Sequence, residues 1–138
     1  MSELQAVFRR SSLSNAGDRE NLLAHPETLE YSDEWVREGR TRVATHDGRV
    51  RGFATAVPRG AVLELEDLFV DPEWMRRGIA RALIDDIEAR ARTDGVRRFE
   101  VTANPHALDF YRAVGFVVDG PADVRFGLAS RMQLDIER

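Results

Sequence analysis

Apolar residues recur every three to four positions from Ile79 to Ala91. Ile79, Leu83, Ile87 and Ala91 form a stripe that Ala80 and Ile84 broaden, while Arg81, Asp85, Glu88 and Arg92 mark the wet side. This spacing predicts an amphipathic helix with favourable i,i+4 pairs at Asp86/Arg90 and Glu88/Arg92, ended by Asp94-Gly95. Elsewhere the period is two. "VRRFEVTA" puts Phe99, Val101 and Ala103 on one face and reads as a strand. In "RTRVATH-DG-RVRGFATAV" two β-rich runs flank Asp47-Gly48, a pair that tolerates the positive φ of a tight hairpin turn. Pro58-Arg59-Gly60 makes a further turn and "AVLELEDLFV" a further strand, so the middle of the chain predicts a three-stranded antiparallel meander.

The flanks are patterned less strongly. "LQAVFRR" reads as a first strand, Ser14 to Ala24 as a weakly patterned helix stopped at His25-Pro26, and "TLEYSDEWVREG" as a second helix ending at Gly39. Asn104-Pro105 opens another helix, with the Asn side chain as cap acceptor and Pro at the first helical position. Ala107, Phe110, Tyr111 and Val114 line one face of that helix, and Gly115 ends it. "FVVDG" and "ASRMQLDI" close the chain as two strands. Strand, helix and strand in succession favour a right-handed parallel crossover. The fold class is therefore α/β (α+β), a mixed sheet with helices on both faces.

Composition narrows the function. The 138 residues fit one domain, with no repeat, low-complexity segment or dividing linker, and 43% hydrophobic with 32% charged residues describe an ordinary globular protein. A net charge of −4 argues against a general nucleic-acid binder. The absence of Cys excludes disulfides, thiolate zinc sites and a cysteine nucleophile. No apolar run reaches the length of a membrane span and the N-terminus lacks a secretory pattern, so a cytoplasmic location is the expectation.

The start of the long helix raises a chemical question. A helix begins with free N–H groups, usually met by Ser, Thr, Asp or Asn at the boundary, and Met75-Arg76-Arg77-Gly78-Ile79-Ala80 offers no such acceptor. A helix N-terminus attracts anions, Gly78 lets one approach the backbone, and Arg76 and Arg77 add charge. These features predict a phosphate or diphosphate site between about Arg76 and Arg81. A solvated helix start with two surface arginines would look the same. The pattern is not a P-loop, which disfavours nucleoside-triphosphate hydrolysis.

The stretch "LEDLFVDPEWMRRGIARALIDDIEARARTDGVRRFEVTANPHALDFYRAVGF" resembles the central half of the GCN5-related N-acetyltransferase (GNAT) family. The family's coenzyme A signature is Gln or Arg, two variable residues, Gly, a variable residue, then Gly or Ala. Here it runs from Met75 to Ala80 and departs at Met75, which supplies no polar side chain. A second signature matches at Asn104, Phe110-Tyr111 and Gly115-Phe116. The resemblance implies a mostly antiparallel sheet with a central parallel strand pair, and acetyl-coenzyme A as co-substrate without a metal. Met75, Arg76, Arg77, Gly78, Ile79, Ala80 and Arg81 would hold the pyrophosphate. Backbone groups of Leu68, Phe69 and Val70 would bind the pantetheine arm, Asn104 would contact that arm, and Tyr111 would face the thioester sulfur.

Acetyl transfer needs a neutral amine, a polarised carbonyl and a protonated leaving thiolate. A backbone N–H at Phe69 or Val70 is the candidate oxyanion donor. Tyr111 is the candidate acid, although an aromatic at i+4 from Ala107 also suits a core position. Glu64 and Glu66 are the base candidates, and "LELED" equally fits a solvated strand face. Without Cys, direct attack in a ternary complex is favoured. His25, His46 and His106 show no metal-ligand spacing. The acceptor's walls would come from Ser14 to Gly39, with Glu27, Glu30, Tyr31, Asp33, Glu34 and Trp35, and from "DGPADVRFG". The acceptor is expected to be a small-molecule or protein amine, with no nucleic-acid or membrane partner. Homodimerisation is common in the family. Two other classes stay open: a non-catalytic acyl-coenzyme A-binding regulator of the same fold, and a structural protein whose helix start holds nothing.

Overall fold

The structure is a computed structural model that describes residues 2–13, 34–122 and 129–136. Among these, the strands are β1 (Thr41–His46), β2 (Arg49–Arg59), β3 (Val62–Val70), β4 (Arg98–Ala103), β5 (Val117–Ala122) and β6 (Ala129–Asp135). The α-helices are α1 (Ser2–Leu13), α2 (Glu34–Arg37), α3 (Ile79–Thr93) and α4 (Leu108–Ala113). One mixed sheet runs in the order β1-β2-β3-β4-β6-β5, with β3 and β4 as its parallel pair. The predicted hairpin is present, with Asp47 at φ 55° and Gly48 at φ 74°, the signs a type I′ turn requires. The next turn falls at Gly60-Ala61 instead of Pro58-Arg59-Gly60, because β2 continues to Arg59. β1 pairs with β2 only as far as Thr55, so Pro58 lies where β2 has lost that neighbour.

The chain divides into two compact units, Met1–Thr55 with Asp67–Ile84 and Ala56–Glu66 with Asp85–Arg138. In the first, residues 4–10 are helical, not the expected strand. Leu4, Val7 and Phe8 stand at i, i+3 and i+4, and a helix brings all three to one face. Leu4 and Val7 bury against Phe53, while Phe8 and Phe69 close the cluster edge to face at 4.9 Å. Gly52 precedes Phe53 and faces the other way. A Cβ on Gly52 would stand 2.9 Å from Ile79 Cγ2 and 3.1 Å from the Phe69 carbonyl oxygen. Thus α1 covers one face of β2, and the first turn of α3 sits close against the other.

In the second unit the parallel ladder runs from Val62↔Arg98 to Leu65↔Val101, and β6 lies antiparallel between β4 and β5. Phe99, Val101 and Ala103 are buried as their alternation predicts, and so are Ile87 and Ala91 from the α3 stripe. Both expected i,i+4 pairs form, Asp86–Arg90 at 3.7 Å and Glu88–Arg92 at 2.9 Å. Helices α3 and α4 end alike. Val96 N–H donates to Ala91 O and Gly95 N–H to Arg92 O, while Phe116 and Gly115 repeat this with Tyr111 and Arg112. The Asn104 helix start differs from expectation. Pro105–Ala107 forms a 3₁₀ turn closed by Ala107 N–H to Asn104 O, and the Asn104 side chain caps nothing. The tighter i→i+3 closure satisfies the backbone without it, and α4 begins only at Leu108. The expected helix over Ser14 to Ala24 lies outside the described residues, and of "TLEYSDEWVREG" only Glu34 to Gly39 lie within them.

Candidate functional site

Within the first unit, the end of β3 leads into a loop that is firmly built and polar on its outer side. The Asp71 N–H donates to the Arg51 carbonyl at 2.8 Å. Its buried carboxylate accepts from Arg10 Nη2 at 2.6 Å and from the Glu73 N–H at 3.2 Å, capping the 3₁₀ turn Pro72–Trp74. Burial alone would raise the Asp71 carboxyl, but the Arg10 and Glu73 bonds outweigh it and hold the group below the usual carboxylate range. Beyond this turn Met75 is extended, Arg76 adopts φ 62° and Gly78 φ 81°. A positive φ costs Arg76 on the order of 1 kcal/mol, so the surrounding structure imposes it. Gly78 O accepts the Ala82 N–H at 3.0 Å, which makes Gly78 the boundary residue of α3.

The N–H groups of Arg76 to Ala80 have no partner among the described residues. No atom lies within 4 Å of where a Gly78 Cβ would be, so the approach to that backbone is open. Successive N–H groups around alternating backbone conformations make an anion-binding concavity. Arg76, Arg77 and Arg81 are exposed at its rim, Met75 is 51% exposed, and Ile79 and Ala80 are half-buried. These residues fit a phosphate group. Leu68, Phe69 and Val70 also belong to this unit, on the five residues of β3 beyond the end of its ladder with β4.

Within the second unit, Tyr111 is buried, with its ring 5.4 Å from Phe116 and 5.2 Å from Phe110. Burial pushes its phenol well above the ordinary tyrosine value, so it is protonated at neutral pH. The hydroxyl has no hydrogen-bond partner among the described residues, and it is not one of the sealed polar atoms. Asn104 is exposed. Glu64 meets Arg131 as a fork, Nη1 to Oε2 and Nη2 to Oε1 both at 2.8 Å. The same guanidinium donates to Glu100 Oε1 and Thr102 Oγ1, each at 2.7 Å. Glu64 and Glu100 are register partners across the parallel pair, where like charges repel, and Arg131 bridges them. Glu64, burial against it notwithstanding, and then Glu100 drive Arg131 further above its already high value. Glu66 pairs with Arg59 at 2.9 Å on the surface.

Three residues of these sites escaped the sequence reading. Gly52 carried a signal, since a glycine inside a strand often marks close approach of another segment. Arg131 carried one too, because an arginine in mid-strand beside Met132 needs a partner for its charge. Trp74, which stacks with Arg51 and Arg77, carried none. Among the described residues no cluster of His, Asp and Glu could hold a metal, and no helix is long and apolar enough to cross a membrane. His46 Nδ1 lies 3.1 Å from Asp47 and His106 is exposed. Exposed Glu34 is described. His25, Glu27, Glu30, Tyr31, Asp33, the Trp35 side chain and 123–128 lie outside the described residues.

The profile of the acetyltransferase (GNAT) domain family matches residues 26–135. The chain belongs to the GNAT family. Serotonin N-acetyltransferase 2, chloroplastic, of Oryza sativa subsp. japonica is 31% identical over 96 residues, covering 68% of this chain and 46% of that protein. Glucosamine 6-phosphate N-acetyltransferase of Trypanosoma brucei brucei is 33% identical over 85 residues, covering 55% and 58%. The chain thus spans about half the length of the curated relatives it matches. The structure of PaiA N-acetyltransferase of Thermoplasma acidophilum, solved with coenzyme A, shares the fold at TM-score 0.74 and 20% identity, covering 97% of this chain and 91% of that one. The open N–H groups lie within Met75 to Ala80, the stretch whose resemblance to the family's coenzyme A signature departs at Met75.

Proposed function

We propose that this GNAT protein is an acetyl-coenzyme A-dependent N-acetyltransferase acting on a primary amine. The observation that carries this reading is the run of N–H groups from Arg76 to Ala80, without partners among the described residues, around an open Gly78. In the reading, that loop with Arg81 holds the pyrophosphate, the backbone of Leu68 to Val70 binds the pantetheine arm, and Asn104 contacts it. The amine nitrogen attacks the acetyl carbon while an N–H of Phe69 or Val70 stabilises the oxyanion. The C–S bond then breaks, Tyr111 gives its proton to the leaving thiolate, and the nitrogen loses one to a base. The Tyr111 phenol carries the proton this step needs, although burial, which raises its pKa, makes it a weaker acid than a free tyrosine. Glu64 and Glu66 remain the base candidates, each already accepting from an arginine.

The names of the two curated relatives, both acetyltransferases of amines, support a small-molecule amine as acceptor. The unbroken family match over residues 26–135 supports one acetyltransferase domain. A cytoplasmic location and homodimerisation belong to the same reading, and light scattering tests the second. Gly78→Val should weaken acetyl-coenzyme A binding at least a hundredfold by calorimetry with the fold intact by circular dichroism. Wild-type affinity in that variant would remove the reading. Thiol release across an amine panel tests turnover. A non-catalytic acyl-coenzyme A-binding regulator is the second reading, favoured by Met75 and by the engagement of Glu64 with Arg131, and it expects binding without thiol release.

A further inference from the structure

Trp74 occupies the last position of the 3₁₀ turn, and its N–H is tied to Asp71 O at 2.8 Å. The Arg51 guanidinium carbon lies 4.4 Å from the centre of its ring and that of Arg77 lies 4.6 Å away, while the His46 ring stands beside it at 4.7 Å. The two arginines differ in what balances them. Arg51 projects from β2, feels the carboxylates of Asp71 and Glu3, and has its Nε sealed from solvent. Arg77 is exposed and meets no carboxylate among the described residues, so the ring is its contact. It also stands between the two positive-φ residues, Arg76 and Gly78. A guanidinium over an indole keeps its in-plane N–H donors free while losing freedom of orientation.

We infer that Trp74 is a positioning residue for coenzyme A binding: its ring, backed by Arg51, holds Arg77 and the loop around it so that a cation stands ready for a phosphate beside the open N–H groups. This deepens the proposed function and rests on its assignment of the Gly78 loop to the phosphates of coenzyme A. Arg51 supports the ring from the β2 side, Trp74 transmits that support, and exposed Arg77 keeps its donors for a ligand. Pre-organisation of this kind strengthens binding by removing the ordering cost of a long side chain. It leaves the chemistry of transfer untouched.

The test is a double-mutant cycle of Trp74→Leu and Arg77→Met, read by calorimetry with coenzyme A and by steady-state kinetics with acetyl-coenzyme A. Trp74→Leu alone should raise Kd and KM about fivefold and leave kcat within about twofold, the scale of one or two cation–π contacts. In the Arg77→Met background it should add less than about twofold, and Trp74→Phe should restore most of the affinity. Equal losses with and without Arg77, or a fall in kcat at unchanged KM, overturn the inference. Should Trp74→Leu fail to fold, the same cycle with Trp74→Met, which keeps bulk without a ring, must show the coupling to Arg77. Repeating the titrations with 3′-dephospho-coenzyme A identifies the phosphate. A loss that persists assigns the pyrophosphate, and one that vanishes assigns the 3′-phosphate. Gly78→Val separates the two claims. If it leaves affinity intact the loop assignment falls, and if it abolishes affinity while Trp74 and Arg77 act independently, only the positioning role falls.

Discussion

The loop at Gly78 and the ion cluster at Arg131 are both polar and both assembled from distant parts of the chain, yet they treat their donors in opposite ways. At the loop, the Asp71 carboxylate is met by Arg10 and the Glu73 N–H, while the N–H groups of Arg76 to Ala80 have no partner among the described residues. At the cluster, Arg131 directs its terminal nitrogens to Glu64, Glu100 and Thr102. Unmet donors on a rigid base are what an anionic ligand can satisfy, whereas a closed network already has its reward in the fold. On the proposed reading the first region binds the ligand, and the bonds of the second serve first to hold the strands together. The Tyr111 hydroxyl shares the loop's open character, since it too has no partner among the described residues.

The largest effect should come from Tyr111→Phe. Because the hydroxyl makes no bond among the described residues, its removal should leave the melting temperature within a degree or two, while kcat falls roughly a hundredfold at unchanged KM for acetyl-coenzyme A. Unchanged turnover would take Tyr111 out of the mechanism. The raised phenol adds a pH signature. The neutral form is favoured in the fold, so stability is unaffected below about pH 10 and declines above it, where the unfolded chain ionises first. Tyr111→Phe should remove that part of the alkaline decline in urea midpoints.

Arg131→Met sharpens the other side. It leaves Glu64 and Glu100 facing each other across β3 and β4 with their shared cation gone, and should cost about 2 kcal/mol of stability. That estimate sits below the range for sealed pairs because Glu64 and Glu100 keep 15% and 20% of their side-chain exposure. Urea unfolding measures it. If stability holds and kcat collapses instead, the cluster is part of the active site and the contrast is wrong.

What could be read in the sequence follows from the range of the forces involved. The α3 stripe, the Asp47-Gly48 hairpin and the alternation of β4 are local patterns, and each formed where its period placed it. Residues 4–8 defeated that reasoning because a short segment with four apolar residues around Gln5 is compatible with either period until its partner, Phe53, is known. Asn104 misled because a residue suited to capping need not cap when a tighter turn closes the backbone first. For the site, the open helix start was legible as a missing acceptor, and the family motif reinforced it. Its foundations were not. Arg10 and Asp71 are 61 residues apart and Arg131 and Glu64 are 67 apart, and no local pattern announces such pairs.

Gly52→Ala tests the foundation of the loop without touching its donors. The new Cβ would crowd the branched Ile79 Cγ2 and the Phe69 carbonyl, neither of which can swing aside as a long side chain would. The first turn of α3 must move away from β2, at about 1–2 kcal/mol in stability, with coenzyme A affinity down roughly fivefold. A stability loss with full affinity would show that the loop does not depend on this seat.

Asp71→Asn is the mildest of the set and probes the same foundation from the other end. The amide can still accept the Glu73 N–H, so the 3₁₀ turn should survive, but the ion pair with half-exposed Arg10 is lost. About 1 kcal/mol is expected at neutral pH, since Arg10 returns to water and leaves no stranded buried charge. The sign with pH follows from the lowered carboxyl. Its contribution is present above the ordinary Asp value near 3.8 and disappears as pH falls through the lower folded value. Wild type and variant should therefore converge in stability toward acid pH. A gap that stays constant down to pH 2 would mean that packing around Asp71, and not its charge, fixes the approach to Gly78.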